Sequence, residues 1–399
     1  MKKLNQILES QSKDKIVEFK TCKYSGEEFP VFQKDLDLIE KISPVIAWKK
    51  YVYSTPEISP KIRQIMRLSF RNERKFYNIE VDGKKLISTV HTEMRKNILK
   101  TEEFFDTDFS KINIEKITDF DSNFSELLHK VPYIDRLVIN AENSPYINQE
   151  LNPKNCHLIA WWMDNQDSMY STFLSNCEDM IDCYSCSENS NQSYESLRIF
   201  KSSKIFFSQH VKDSYNIYFS RDIIWSKNIL FWYNITNSEY IYKDKQYSKE
   251  DWENIYTEFK EKLKTNSGLK ELKQEYIDFL KSKNIRWQLN TNSEKVIWAM
   301  FMNSRNIFKA TWINNCEDVR YWDILIWVKD SMDVESYWHW EKLFNVASGT
   351  DNQNTCCATT HCWWPNNTFY SLYCEWWNNN FGCFGLKNKD YHIFNKSYF

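Results

Sequence analysis

The chain has 399 residues, 27% of them charged, with Lys+Arg 52 against Asp+Glu 54 and a formal net charge of -2. That length permits two or three domains or one long repeat array, and so balanced a charge excludes a global field calling for nucleic acid or an anionic membrane. No apolar core follows the N-terminal lysines and no run nears ~18 apolar residues, so a cytoplasmic protein without a membrane span is expected, its 11 cysteines kept as free thiols.

In chain order, residues 1–151 predict a mixed α/β domain. In SPKIRQIMRLSFRNERKFY, Ser59 is placed to cap a helix and Pro60 to open it, because proline's missing N–H costs nothing at the first helical position. Lys61, Arg63, Arg67, Arg71, Arg74 and Lys75 follow. They form a nucleic-acid patch if they share one exposed side, and a solvated helix face otherwise. KFYNIEV and KKLISTV flank Asp82-Gly83, the signature of a β-hairpin. DSNFSELLHKV (121–131) predicts a short helix.

From residue 152 a unit recurs in which Asn or Asp, then Ser or Cys, precedes a short apolar run. Asn155-Cys156, Asp167-Ser168, Asn176-Cys177, Asp213-Ser214 and Asn237-Ser238 are examples, and Asn292-Ser293, Asn303-Ser304, Asn315-Cys316 and Asp330-Ser331 resume it. The spacing clusters at 11 or 12 residues. Short β-prone runs between tight polar turns predict a mainly β fold: a parallel β-solenoid whose coils each take about two units and bury their inward side chains only by stacking. Small inward Cys and Ser suit such a ladder. Two solenoid segments are expected, 152–247 and 286–399, parted by a helical hairpin over 248–285. Ser248-x-x-Asp251 opens that hairpin as a capping box, and Asn266-Ser267-Gly268 interrupts it.

Glycine is scarce and tryptophan abundant, 6 against 17. Trp161-Trp162, Trp363-Trp364, Trp376-Trp377, Trp225 and Trp48 all sit in polar turn contexts, where positive φ favours glycine. In an internal match, NSEYIYKDKQY (237–247) aligns with NKDYHIFNKSY (388–398), and Phe231-Trp232 upstream is set against Phe384-Gly385. These positions predict that every tryptophan but Trp252 is a glycine read through a UGA codon reassignment. The alternative is that exposed indoles form a sugar-binding platform.

FPVFQKDLDLIEKISPVIAWKKY, SPKIRQIMRLSFRNERKFY, GKKLIS and the tail FGCFGLKNKDYHIFNKSY resemble an uncharacterised family of uncultivated small-genome bacteria, often labelled "CaiB/BaiF family protein". The resemblance spans most of the chain, and RNERK and the closing NKDYHIFNKSY are its most specific parts. It implies glycine where the chain has Trp48, members that continue beyond Phe399, and a zinc-ribbon-like N-terminal region with Cys-x-x-Cys pairs. Tetrahedral zinc needs four thiolate or imidazole ligands. Here Cys22 keeps one thiol of the first pair and Ser25 replaces the other, while Ser59 and Ile62 stand at the second pair and Val81 at a further cysteine. The zinc site the resemblance implies is therefore expected to be lost, and no cofactor is expected. The CoA-transferase activity in the family label finds no recognisable nucleotide site among these residues.

Three further clusters hold residue types capable of chemistry. Cys183-Tyr184-Ser185-Cys186, with Cys177 nearby, reads as half a zinc site, a redox pair or buried ladder thiols. Cys356, Cys357, His361 and Cys362 are the densest metal candidate, although their spacing matches no standard zinc pattern. Asp318, Asp323, Asp330, Asp333 and Glu335 would serve as acid and base, or hold calcium, on a polysaccharide-acting right-handed β-helix; as turn residues they would only shape coil corners. No Ser/His/Asp order or phosphate loop stands out. The expected function is a non-enzymatic repeat scaffold or binding module for a macromolecular partner. The alternatives are a polysaccharide lyase or hydrolase using the 318–335 carboxylates, and nucleic-acid binding through 61–75.

Overall fold

A computed structural model of the chain describes residues 14–285 apart from 44, 47, 69–71, 73 and 94–96, short pieces between 290 and 366, and residues 368–398. It divides into two compact units. One comprises Glu73–Glu102 and Ile134–Ile285, the other Met1–Asn72, Glu103–Tyr133 and Arg286–Phe399. Among the described residues no helix is long and apolar enough to cross a membrane.

The first of these units is a parallel β-solenoid, as the repeat predicts. Ser203 pairs with Tyr215, Tyr215 with Lys227 and Lys227 with Glu239, so one coil takes 12 residues. The expectation of two units per coil is corrected to one, and the backbone supplies the reason. Each coil has four sides of three residues. In each side one residue points inward, the next outward, and the third takes a left-handed backbone that turns the chain. Over one coil the turning residues are Lys204, Phe207, His210 and Asp213, with φ of 58, 53, 55 and 48°. The inward residues that follow them are Ile205, Ser208, Val211 and Ser214, all buried. Left-handed backbone costs most residues roughly 1–2 kcal/mol, less for Asn and Asp. This is why Asn or Asp so often precedes Ser or Cys here: the first turns and the second enters the core. None of the described left-handed residues is Val, Ile or Thr, whose branched Cβ fits that region worst.

Stacked coils form a 9-stranded and a 7-stranded sheet, parallel except for a final hairpin strand, Lys245–Gln246. The period slips once, where Glu178 pairs with Asn191. The extra residue is absorbed by consecutive left-handed positions at Glu188 and Asn189. Two inward columns are aliphatic, Ile199–Val211–Ile223 and Ile205–Ile217–Ile229–Ile241. The other two are serine ladders. Ser202 Oγ donates to Phe200 O (2.7 Å) and accepts from Ser214 N (3.0 Å), and Ser214 and Ser226 repeat the pattern one coil on. Each buried hydroxyl is thus satisfied by backbone.

The helical hairpin is present as Lys249–Leu263 and Asn266–Lys281. Ser248 Oγ accepts from Asp251 N at 3.1 Å and so caps the helix as expected, while the Asp251 carboxylate takes the Ser248 hydroxyl at 2.8 Å where a full capping box would take the Ser248 backbone N–H. The break falls earlier than predicted, at Lys264-Thr265. Thr265 Oγ1 accepts from Gly268 N at 3.0 Å, so Asn266-Ser267-Gly268 form the first turn of the second helix. The hairpin's apolar side, with Trp252, Phe259, Leu272 and Tyr276, covers one solenoid corner. There Phe207, Phe219 and Phe231 stack at 4.6 and 5.1 Å, and Phe259 meets Phe219 and Phe231 edge-on. Lys273–Glu195 (2.7 Å) and Lys283–Asp244 (2.7 Å) fasten its rim.

The tryptophan positions divide. Trp48, Trp161, Trp162, Trp225 and Trp376 do have positive φ, 67, 76, 134, 47 and 53°. Trp252 lies in the hairpin helix and is buried, as expected. Trp232 instead fills an inward ladder position, its backbone N–H donating to Ser220 Oγ at 3.1 Å. Pairing Ile241 with Gln246 and His392 with Ser397 sets the two segments in register, and Trp232 then aligns with Cys383, not Gly385.

In the other unit, a hairpin of Ile16–Thr21 and Glu28–Phe32 leads into the helix Gln33–Ile42. Arg320 is buried there between Asp14 (2.6 Å) and Asp35 (3.3 Å). Pro60–Leu68 is helical, Arg63 N bonding Ser59 O at 3.0 Å. Residues 368–398 are again 12-residue coils, bridged at Phe369–Phe381, Leu372–Phe384 and Phe381–Ile393. Their corner is covered by Phe104, Phe109 and the helix Phe120–Lys130.

Candidate functional site

A groove runs along one corner of the first solenoid. Its floor is the ladder Ser202, Ser214, Ser226 and Ser238. One rim is the left-handed column immediately before those serines, Lys201, Asp213, Trp225 and Asn237. The other is the strand residue immediately after them, Ser203, Tyr215, Lys227 and Glu239. Because coils repeat every 12 residues, each rim places one side chain per coil at the ~4.8 Å spacing of paired strands.

The rim side chains hold one another. Trp225 Nε1 donates to Asp213 Oδ2 at 3.1 Å, and Lys204 Nζ donates to Tyr215 Oη at 2.7 Å. Lys227 and Glu239 pair at 2.7 Å, and Lys201 and Glu188 at 3.1 Å. Hydrogen bonds to those carboxylates raise both lysines above the ordinary ammonium value. The floor hydroxyls donate to backbone carbonyls and no histidine lines the groove. Such an arrangement can bind along its length, and its carboxylates are engaged by rim neighbours, Asp213 by Trp225 and Glu239 by Lys227.

The zinc-ribbon-like positions expected from the sequence do come together at Cys22, Ser25, Ser59 and Ile62. Cys22 is buried beside Ile62, and its Sγ accepts from Ser59 N at 3.3 Å. Burial pushes the thiol up, but hydrogen bonds from Ser25 and Ser59 together outweigh it and bring the thiol to about 6. One sulfur, two hydroxyls and an isoleucine make a poor zinc set. Among the described residues no group of three or more His, Cys, Asp or Glu could hold a metal. Val81 lies in the other unit, on the hairpin strand Tyr77–Val81.

Cys177, Cys183 and Cys186 are buried inward residues of the solenoid core, as ladder thiols should be. Burial pushes Cys177 up to about 12 and also raises Cys186, while a hydrogen bond with Cys186 lowers Cys183. Of the basic stretch, Arg63 is turned inward and donates to Ile58 O, Lys61 is exposed, and Arg74 and Lys75 belong to the other unit. The side chains of Arg67 and Arg71, those of Asp318, Asp323, Asp330, Asp333 and Glu335, and the cluster Cys356, Cys357, His361 and Cys362 lie outside the described residues.

Two further polar groups escaped sequence reading. His210 Nδ1 lies 2.7 Å from Asp222 Oδ1 one coil away, and burial lowers the imidazole more than Asp222 raises it. Glu150 is buried among the first coils, where Asn165 Nδ2 donates to Oε2 at 3.1 Å and Oε1 has no partner. Burial pushes this carboxyl well above its usual range, against the Asn165 hydrogen bond that favours the charged form. The groove itself left a signal in the recurring Lys201, Asp213, Trp225, Asn237 before serine. That signal becomes readable only when the coil length is known to be 12.

No protein-family model matches the chain, and no curated protein or solved structure matches it at a significant level.

Proposed function

We infer that this chain is a non-enzymatic binding scaffold, a stack of rigid coils that presents the serine-floored groove to a macromolecular partner. The carrying observation is that both rims repeat in step over several coils while the floor hydroxyls are committed to backbone. That geometry suits an elongated ligand held by side chains. The buried free thiols of the described residues suit the reducing cytoplasm. The test is to incubate the full chain with panels of polysaccharides, polypeptides and nucleic acids, measuring both retention and product release. Retention without reducing ends, unsaturated sugars or other products is expected. Catalytic turnover of any retained polymer would overturn the non-enzymatic reading.

A further inference from the structure

Resting on that binding reading, we propose that the groove takes an extended chain of neutral sugars, with Trp225 and Tyr215 stacked on the apolar faces of its rings. Three observations select this ligand class. First, the backbone of both rims is consumed within the solenoid. Tyr215 N donates to Ser226 O and Lys227 N to Ser238 O, both at 3.0 Å, while Trp225 N donates to Lys212 O and Asn237 N to Ile224 O, also at 3.0 Å. No strand edge is left along the groove for a peptide to extend.

Second, the charges cancel. Lys201 and Lys227 face Asp213 and Glu239 in one groove, and Lys227 and Glu239 are already paired. A polyanion needs an excess of cations, whose binding would be salt-dependent; this groove has none.

Third, two aromatic rings stand on opposite rims, Trp225 62% and Tyr215 44% exposed. Each is held at its polar tip, by Asp213 and by Lys204, so little side-chain freedom remains to be lost on binding. A ligand with apolar faces and hydroxyl edges, repeated along a chain, matches apolar rings set among amides, hydroxyls and paired charges. The second segment carries an indole at the same coil position, Trp376, 55% exposed.

Calorimetric titration of the full chain with cello-, xylo-, malto- and chito-hexaose tests the proposal, with polygalacturonate and a single-stranded oligonucleotide as charged controls. One neutral series should bind, with little change between low and high salt, and the charged polymers should not. Tyr215→Ala and Trp225→Gly should each lower affinity about tenfold, the scale of one lost aromatic contact, whereas Tyr215→Phe should keep it. Trp225→Gly is the decisive variant. The backbone at 225 has φ 47°, which glycine adopts without strain, so an unchanged melting temperature would show that lost binding is not lost folding. Binding that survives Trp225→Gly, failure of every neutral series, or a codon for residue 225 that the source organism translates as glycine would overturn the proposal. Retention of a polypeptide or acidic polymer instead would overturn it while leaving the scaffold reading standing. A neutral glycan that binds but is cleaved would keep the proposal and overturn the scaffold.

Discussion

In the segment that closes at Tyr247, the covered corner is built outward: Phe207, Phe219 and Phe231 rise from three successive coils, and the helical hairpin lays Phe259 and Tyr276 edge-on against them. In the segment that closes at Tyr398, the position aligned with Phe231 is Gly382. Its φ is 62°, and a Cβ there would lie 2.6 Å from the Phe394 ring. Gly385, three residues on, likewise makes room for Phe109 of the covering segment. One corner is filled by its own aromatic column, whereas in the other two glycines make room, Gly382 for the segment's own Phe394 one coil on and Gly385 for Phe109 of the covering segment. Inside, the first segment combines isoleucine columns with serine ladders. The second uses Ser371, Asn380 and Asn395, which accept from Cys383 N, His392 N and Phe384 N at 3.0, 2.6 and 2.9 Å. The coil therefore does not require a fixed set of core residues. It requires a turning residue every third position and, inside, either an apolar side chain or one that satisfies the next coil's N–H.

If that contrast is right, Phe219→Ala should have the largest effect, because it removes a fully buried ring from the self-built corner. A loss of ~3–5 kcal/mol is expected in chemical denaturation, with hydrogen exchange quickening first in the hairpin. A change confined to residues outside the hairpin and its corner would contradict the packing described. Next comes Gly382→Ala in the cut-back corner, where left-handed strain and overpacking against Phe394 each cost about 1–3 kcal/mol. Its counterpart Phe231→Gly should lose burial without adding strain, so equal heat capacities of unfolding for the two variants would argue against the assignment.

Ser214→Ala should cost about 1–3 kcal/mol, since it leaves the buried Ser226 N–H without an acceptor. Ser214→Cys, which keeps a weak acceptor as at Cys374, where Sγ accepts from Leu386 N at 3.3 Å, should recover part of the loss.

The smallest effect, and the only one dependent on pH, belongs to Glu150. Its folded-state pKa is raised by burial, so the folded chain holds a proton that the unfolded chain releases near the ordinary glutamate value of about 4.3. The native environment is therefore fully tolerated below that value, and stability falls as pH rises toward the folded-state pKa. Glu150→Gln should remove the slope and stabilise the chain by about 1 kcal/mol or more above neutrality. Parallel stability curves for the two proteins across pH 5 to 9 would show that Glu150 is not buried as described.

The array and its two segments were legible because stacked coils impose a period, and the Asn/Asp–Ser/Cys pairs carry it at every turn. The N-cap at Ser248 and the Asp82-Gly83 turn were legible for the same local reason: a hydrogen bond or a φ angle confined to a few residues leaves its mark on those residues. Coil length was not, because a 12-residue period fits one unit per coil or half a coil equally well until Ser203 is seen beside Tyr215. Nor were the groove, the His210–Asp222 contact or the buried Glu150. Each joins residues from different coils, and which side chains share a column depends on how coils stack. Residue order alone thus settled where this chain turns and what it turns with, since backbone strain is a property of single residues. Three-dimensional packing decided what each turn faces, since burial and charge pairing are properties of neighbours that stacking, not sequence proximity, brings together.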